Sequence, residues 1–302
     1  MSKSKYKLLV MDIDNTFFDW VNYYVPCIEK MVETVSKLTD VDEDTLMSEC
    51  KAVFTAEGSI EYPFVVQQLP SVGGAFSHDY KRILKEVVEP ARDTFLEEAG
   101  KKLELYQGVL ETVSAIRKSF PDLKVAALTD APRYVAMWKL NKLGVLDFFD
   151  AIYGLVDPRI PVSRDGKHVL VDEEILIKNL VGSQFDFKGT VRILPDEYEK
   201  PGKRGFKTVL MDFDLDESTE DRASVLWVGD NVRKDVGLGN LMGVDTAWAK
   251  FGTGLSDDIM ARLKRFSPDV NVSKNISVST STEGYEPTYV LERFSDLLPI
   301  LQ

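Results

Sequence analysis

Four short apolar runs along the chain each end at a small, polar or acidic position. They cover residues 7–11, 124–128, 151–155 and 224–228. Runs of this length are typical of buried strands in a parallel sheet, where the residue that follows each strand lies at the carboxyl edge.

Helical periodicity fills the intervals between these runs. Val109, Val113 and Ile116 recur at helical spacing before the second run, and residues 134–143 follow it as a helix that Gly144 closes. Strands that alternate with helices predict an α/β fold with a doubly wound parallel sheet.

A different pattern occupies residues 19–103, where helical spacing dominates. Helices are predicted over 21–38, 43–54 and 79–98, with a break rich in proline and glycine over 57–76. This region is predicted to be a helical unit inserted after the first strand.

Composition narrows the function classes. The chain has 302 residues and a net charge of −12, so a polyanion such as nucleic acid is a disfavoured partner and a small molecule is easier to accept. No apolar run is long enough for a membrane span or a signal peptide. Cys27 and Cys50 show no disulfide or zinc pattern, which fits a reducing cytoplasm.

The first apolar run leads directly into Asp12, Asp14 and Thr16. In an extended segment side chains two positions apart share a face, so both carboxylates are predicted to enter one pocket. Such crowding is unfavourable without a cation, and a hard divalent ion such as Mg²⁺ suits oxygen ligands and also binds phosphate.

These residues resemble the first motif of the haloacid dehalogenase superfamily, an apolar strand followed by Asp-x-Asp-x-Thr. The resemblance implies a Rossmann-like core in which Asp12 is the nucleophile that takes the phosphoryl group. Asp14 would act as general acid and base, and Thr16 would support the loop. Mg²⁺ would bind the Asp12 carboxylate and the Asp14 backbone carbonyl. Asn15 stands where many relatives have glycine.

The second and third motifs of the family concern the phosphate. Thr129 and Asp130 follow the second strand, and the Thr129 hydroxyl and Asp130 backbone N–H would hold phosphate oxygens. Lys200 is the preferred active-site lysine because it precedes Pro201 and a predicted helix. Lys203 is the alternative within the same basic cluster.

The fourth motif follows the strand at 224–228. Asp230 comes after Gly229 and would be a direct metal ligand, and Asp235 lies five positions later. Asp235 would either approach the metal through water or orient the active-site lysine.

A second Asp-x-Asp pair, Asp212 and Asp214, has a different context. It ends an amphipathic pattern over 206–213, and the threonine comes too late. We interpret this segment as a helix followed by an acidic loop.

The resemblance also implies an organisation into domains. Residues 1–18 and 104–302 would form the catalytic core, with a longer insertion at about 156–198, and residues 19–103 would form a helical cap of the first type. An Asp-Gly turn predicts a hairpin around 163–168 within the insertion. The glycines of 71–77 fit either a substrate-contacting loop or a turn between helices.

The predicted function is therefore a Mg²⁺-dependent phosphatase acting on a small phosphorylated metabolite. The halide-removing branch of the family lacks the second acid, here Asp14. A phosphomutase using the same residues is the nearest alternative, and a binding protein on the same scaffold is a third. His78, on the inserted unit, is not needed for this chemistry.

Overall fold

A parallel sheet of seven strands forms the centre of the described part of the chain. The strand order is β4-β3-β2-β1-β5-β6-β7. The strands are β1 (Leu8–Met11), β2 (Lys124–Pro132), β3 (Ala151–Leu155), β4 (Thr190–Leu194), β5 (Val225–Gly229), β6 (Asp245–Ala249) and β7 (Tyr289–Leu291).

The structure is a computed structural model that describes residues 3–57, 60–61, 65–156, 185–268 and 284–302. The hairpin predicted around 163–168 lies outside these residues.

Helices cover both faces of the sheet and fill the interval between β1 and β2. They are α1 (Trp20–Thr39), α2 (Glu43–Glu57), α3 (Val65–Gln68), α4 (Pro70–Ala75), α5 (Tyr80–Ile83), α6 (Glu89–Lys102), α7 (Val109–Ser119), α8 (Arg133–Lys142), α9 (Lys203–Asp212), α10 (Thr219–Arg222), α11 (Gly237–Met242), α12 (Asp257–Leu263) and α13 (Leu297–Ile300). Single π-helical segments, Leu84–Val88 and Val232–Val236, precede α6 and α11.

Alternation along the strands divides the apolar core between the two faces of the sheet. In β1, Leu9 and Met11 pack on one face, and Leu8 and Val10 pack on the other. All four are buried, as expected for a central strand covered by helices on both sides. The predicted doubly wound α/β fold is confirmed.

The strand order reverses at β1, which pairs with β2 on one side and with β5 on the other. In open α/β sheets the crevice at such a reversal, beyond the carboxyl ends of the strands, is where ligands bind. The chain therefore brings the ends of β1, β2 and β5 to the usual ligand-binding position of this architecture.

The sheet has features that the apolar pattern did not predict. Strands β4 and β6 were missed, and β4 places part of the presumed insertion in the sheet itself. Strand β2 was expected to end near Thr129 but continues to Pro132 across a register shift that begins after Leu128. The irregular stretch frees Thr129 and Asp130 from regular pairing with β3.

The helices α1 to α6, here called the helical insert, lie between β1 and β2 in the chain. The segment that leads from β1 into the helical insert and the segment that leads out of it run side by side. Phe18 of the first pairs with Leu105 of the second in an isolated antiparallel bridge. Helix α1 packs on α6 and also on α12. In the latter contact Arg262 donates two hydrogen bonds to Glu29.

One expectation about the helical insert is corrected, because residues 70–75 form α4 rather than a loop or a turn. None of the residues 71–77 lines the cavity described below. His78 is exposed and is also absent from that cavity.

None of the described helices combines the length and apolarity that a membrane crossing requires. Cys27 and Cys50 are both buried. Burial raises the pKa of the Cys50 thiol to about 12, which keeps it in the unreactive protonated form.

Candidate active site

A cavity of about 120 Å³ opens at the carboxyl edge of the sheet, where the strand order reverses. Asp12 and Asp230 follow the strands β1 and β5, Thr129 lies in the irregular last part of β2, and all three line the cavity. Trp20 and Phe54 of the helical insert line the same cavity. Residues more than 200 positions apart in sequence thus meet in one pocket.

Lys200 lies at the base of this cavity between two carboxylates. Its Nζ is 2.9 Å from Asp12 Oδ1 and 2.8 Å from Asp235 Oδ1. The lysine is only 3% exposed, whereas the alternative, Lys203, is exposed at the start of α9. Of the two candidates, the structure places Lys200 in the pocket.

Three buried acids gather around that lysine. Carboxylate oxygens of Asp12, Asp230 and Asp235 lie within 4.8 Å of one another. Burial raises the pKa of Asp12 to about 7, opposed by Lys200 and reinforced by Asp235. Burial and the neighbouring acids also raise the pKa of Asp230 well above its usual range. Such crowding marks a place where an additional cation would be stabilising.

The donor set fits a hard divalent cation. Asp230 Oδ2 is buried and has no hydrogen-bond partner among the described residues. Asp235 is already occupied, because one oxygen accepts from Lys200 Nζ and the other from the Asn231 backbone N–H at 2.9 Å. Asp230, through its unpartnered Oδ2, and Asp12, of which Oδ1 contacts Lys200, are therefore the better candidates for carboxylate ligands. Oxygen ligands of this kind suit Mg²⁺.

Asp14 also lines the cavity, on the side of the helical insert. Its Oδ1 lies 2.7 Å from Nζ of Lys139, a fully buried residue of α8. The same Nζ lies 3.1 Å from Glu61 Oε1 in the helical insert. Burial lowers the pKa of Lys139, but Asp14 and Glu61 outweigh this effect and hold it above its ordinary value. Lys139 is therefore a charged amine between two carboxylates.

The loop that carries Asp14 has an unusual backbone. Asn15 has a positive φ of 54°, a conformation that asparagine tolerates better than most residues. Its side-chain Oδ1 accepts a hydrogen bond from Trp20 N at 3.0 Å, at the start of α1. The Asn15 side chain thus adds a link between this loop and the helical insert that a glycine could not make. The Thr16 hydroxyl is buried beneath the loop, with no hydrogen-bond partner among the described residues.

The end of β2 is braced from several sides. Thr129 Oγ1 accepts from Ala131 N at 3.1 Å. Asp130 Oδ1 accepts from the Lys200 backbone N–H at 2.9 Å, and its Oδ2 accepts from Lys234 Nζ at 2.8 Å. The Asp130 side chain therefore ties β2 to the segments that carry both lysines, a role that sequence reasoning did not assign to it.

Two glycines allow the close approaches that this site needs. A Cβ on Gly252 would lie 1.8 Å from the backbone oxygen of Asn15, and one on Gly229 would lie 2.3 Å from Asp235 Cγ. Both positions therefore exclude any side chain without movement of the loops that carry the acids.

Among the described residues, sequence reasoning missed four charged residues of the pocket region: Glu61, Lys139, Glu199 and Lys234. Lys139 carried a signal, since it falls on the apolar stripe of a predicted helix, where a charge needs a buried partner. Lys234 lies within the fourth motif, and its Nζ contacts Glu199 at 2.8 Å as well as Asp130. Glu61 carried no signal, because its partner Lys139 is 78 positions away.

Comparisons with known proteins concern the fold. No protein-family model matches the sequence, and no curated protein matches it. Among solved structures, a 2-haloacid dehalogenase from Pseudomonas syringae pv. Tomato is similar with a TM-score of 0.55 and 15% identity, over 98% of each chain. A HAD phosphatase from Thermococcus onnurineus is similar with a TM-score of 0.53 and 14% identity, over 98% of this chain and 97% of that one.

These similarities show that the chain has the haloacid dehalogenase fold, as the motif resemblance implied. At this level of identity they establish the fold alone, and the activity has to be argued from the site.

Proposed function

We propose that the protein is a Mg²⁺-dependent phosphatase that hydrolyses a small phosphorylated metabolite through an aspartyl-phosphate on Asp12. One observation carries the proposal. The Asp12 carboxylate is held by Lys200 at a cavity shared with Asp14 and with the unpartnered oxygen of Asp230. A nucleophile, a proton-transfer group and a metal ligand thus face one small space.

In the first half-reaction an Asp12 carboxylate oxygen attacks the substrate phosphorus, and the bond from phosphorus to the leaving oxygen breaks. Asp14 enters this step in its protonated form and gives its proton to that oxygen, so the product leaves as a neutral alcohol. Lys200 supports this step through its contacts with Asp12 and Asp235, which fix the position of the nucleophile. Thr129 and Asp130 line the same cavity, and the Thr129 hydroxyl and the Asp130 backbone N–H would hold phosphate oxygens.

In the second half-reaction a water molecule attacks the phosphorus of the aspartyl-phosphate. Asp14, now ionised, accepts a proton from that water. The bond between phosphorus and the Asp12 oxygen breaks, which releases inorganic phosphate and restores both carboxyl groups.

The excess of acidic side chains around the cavity indicates why a bound cation would be required for phosphate binding. Among the described residues, seven acidic side chains outnumber the amines of Lys139, Lys200 and Lys234 there. The acids are Asp12, Asp14, Glu61, Asp130, Glu199, Asp230 and Asp235. A phosphate dianion would be repelled by this excess of negative charge. Mg²⁺ held by Asp12, Asp230 and the Asp14 backbone carbonyl would supply the missing positive charge to the phosphoryl group.

The residues of the helical insert that line the cavity favour a small substrate. Trp20, Phe54 and Glu61 of the insert line the cavity together with the core acids. A cavity of about 120 Å³ beneath these residues suits a small phosphorylated molecule rather than a phosphorylated protein surface.

The test uses the purified protein with an aryl phosphate and phosphate release as the readout. We expect turnover with Mg²⁺, none after EDTA treatment, and none for Asp12→Asn or Asp14→Asn. Asp214→Asn is the matched control, since Asp214 belongs to the second Asp-x-Asp pair and is exposed. Full turnover by Asp12→Asn would contradict the proposal.

A binding measurement separates the metal site from the activity. Isothermal titration of Mg²⁺ should show binding to the unmodified protein and at least about tenfold weaker binding to Asp230→Asn. Equal binding would contradict the assigned ligand set. A screen of phosphorylated metabolites would then identify the substrate, and transfer to a second substrate hydroxyl instead of water would identify a phosphomutase.

A further inference from the structure

A buried ion-pair network joins the proposed general acid to the helical insert. Lys139 is fully buried in α8, and its Nζ contacts Asp14 Oδ1 at 2.7 Å and Glu61 Oε1 at 3.1 Å. The network therefore runs from the loop after β1, through a core helix, to a residue of the insert.

Glu61 is itself fixed within the insert. It is only 5% exposed, and its Oε2 accepts from Trp20 Nε1 at 3.1 Å, while Tyr23 OH lies 3.5 Å from Oε1. Both aromatic residues belong to α1. The position of the Glu61 carboxylate thus depends on the position of α1.

Fold stability alone does not explain why a lysine occupies position 139. Its neighbours one turn earlier on the same helix face, Val135 and Ala136, are buried and apolar. An apolar side chain of similar size is often at least as stabilising as a buried ion pair. The Lys139 ammonium group instead contacts Asp14, the side chain that transfers a proton in the proposed mechanism.

We propose that Lys139 and Glu61 are positioning residues for Asp14. Lys139 fixes the Asp14 carboxyl group toward the leaving oxygen of the substrate, and Glu61 fixes Lys139 from the helical insert. This inference rests on the proposed phosphatase function. Its consequence is that proton transfer to the leaving group is effective only while the insert is seated on the core.

The leaving group distinguishes a positioning role from a structural one. An activated leaving group such as para-nitrophenolate departs with little need of a proton, whereas phenyl and ethyl phosphates need one. The parameter to compare is kcat/KM, because it covers the transfer of the phosphoryl group to Asp12 and omits the later hydrolysis.

We expect Lys139→Met to lose roughly 100-fold in kcat/KM on ethyl phosphate but less than about fivefold on para-nitrophenyl phosphate. Glu61→Gln keeps the shape of the side chain and should show the same trend, with a smaller loss. Lys142→Met, an exposed lysine of the same helix, is the control and should match the unmodified protein on both substrates.

Removal of Lys139 alone leaves two carboxylates buried together, which can impair folding. The double variant Lys139→Met with Glu61→Gln removes both charges and should show the same dependence on the leaving group. Thermal unfolding of each variant verifies that the measured protein is folded.

An equal loss on all substrates, or no loss, would overturn the positioning role while leaving the phosphatase proposal intact. Absence of Mg²⁺-dependent hydrolysis by the unmodified protein would instead overturn the proposed function itself. The two failures are therefore distinguishable.

Discussion

The chain contains two Asp-x-Asp segments with opposite structural roles. Asp12 and Asp14 follow a central strand and face the cavity at the carboxyl edge of the sheet. Asp212 ends α9, where its carboxylate is occupied by Arg192 at 2.6 Å and by Tyr153 OH at 2.9 Å. Asp214 lies exposed in the following turn.

The difference shows that spacing alone does not make a catalytic pair. A strand end at the reversal of strand order gathers side chains from several other segments, whereas a helix end on the periphery offers its acids only to local partners. In the first pair Asp12 contacts Lys200 and Asp14 contacts Lys139, among several other acids. In the second pair Asp212 is neutralised by Arg192 and Asp214 is exposed.

The largest expected effect comes from the same substitution made in each of the two Asp-x-Asp segments. Asp12→Asn should reduce kcat at least about 10³-fold, because the amide is not a competent nucleophile. Asp214→Asn should leave kcat within about twofold, since asparagine also tolerates its positive φ of 55°. Steady-state phosphate release measures both, and comparable losses would remove the distinction between the two segments.

The lysine beside the first pair gives the next effect. Lys200→Met removes the amine between Asp12 and Asp235 and should lower kcat by about 10²-fold or more. Lys203→Met should behave like the unmodified protein, because Lys203 is exposed. Loss of activity with Lys203→Met and none with Lys200→Met would identify Lys203 as the functional lysine and contradict the assignment of Lys200.

A pair of neighbouring glycines tests the loop that carries Asp14. Alanine at Gly252 would place a methyl group against the Asn15 backbone oxygen, whereas nothing lies within 4 Å of the corresponding position at Gly254. We expect Gly252→Ala to lower activity about tenfold and the free energy of unfolding by about 1–3 kcal/mol. Gly254→Ala should change neither by a measurable amount. Urea denaturation and phosphate release together verify this.

The smallest effect belongs to the second pair. Asp212→Asn weakens the contacts with Arg192 and Tyr153 at the surface of the sheet, and should cost about 1 kcal/mol of unfolding free energy. Activity should be unchanged. A loss of activity without a loss of stability would assign this segment a function that its contacts do not indicate.

Much of the core could be predicted from the sequence, because buried central strands are continuous apolar runs. Strands β1, β3 and β5 were located within one residue. Strand β4 was missed because four of its five residues are exposed, so it has neither an apolar run nor a covered face. Strand β6 begins with an aspartate after a glycine turn, and this resembled the end of a helix.

The candidate site was predictable where its residues follow strands and resemble family motifs. Glu61 and Lys139 could not be paired in advance, since they are far apart in sequence and meet only because the helical insert packs on α8. The roles of Asp130 and Lys234 as a brace likewise depend on the irregular end of β2. Such contacts arise from tertiary packing and have no local pattern.

The central claim is that the phosphoryl group passes through Asp12. Protein mixed with substrate and Mg²⁺ in a rapid-quench instrument can be treated with borohydride, which reduces an aspartyl-phosphate to homoserine, and then mapped by peptide mass spectrometry. The account predicts homoserine at position 12 during turnover and none in the absence of substrate. Phosphate release in a single turnover with no modification of Asp12 would contradict it.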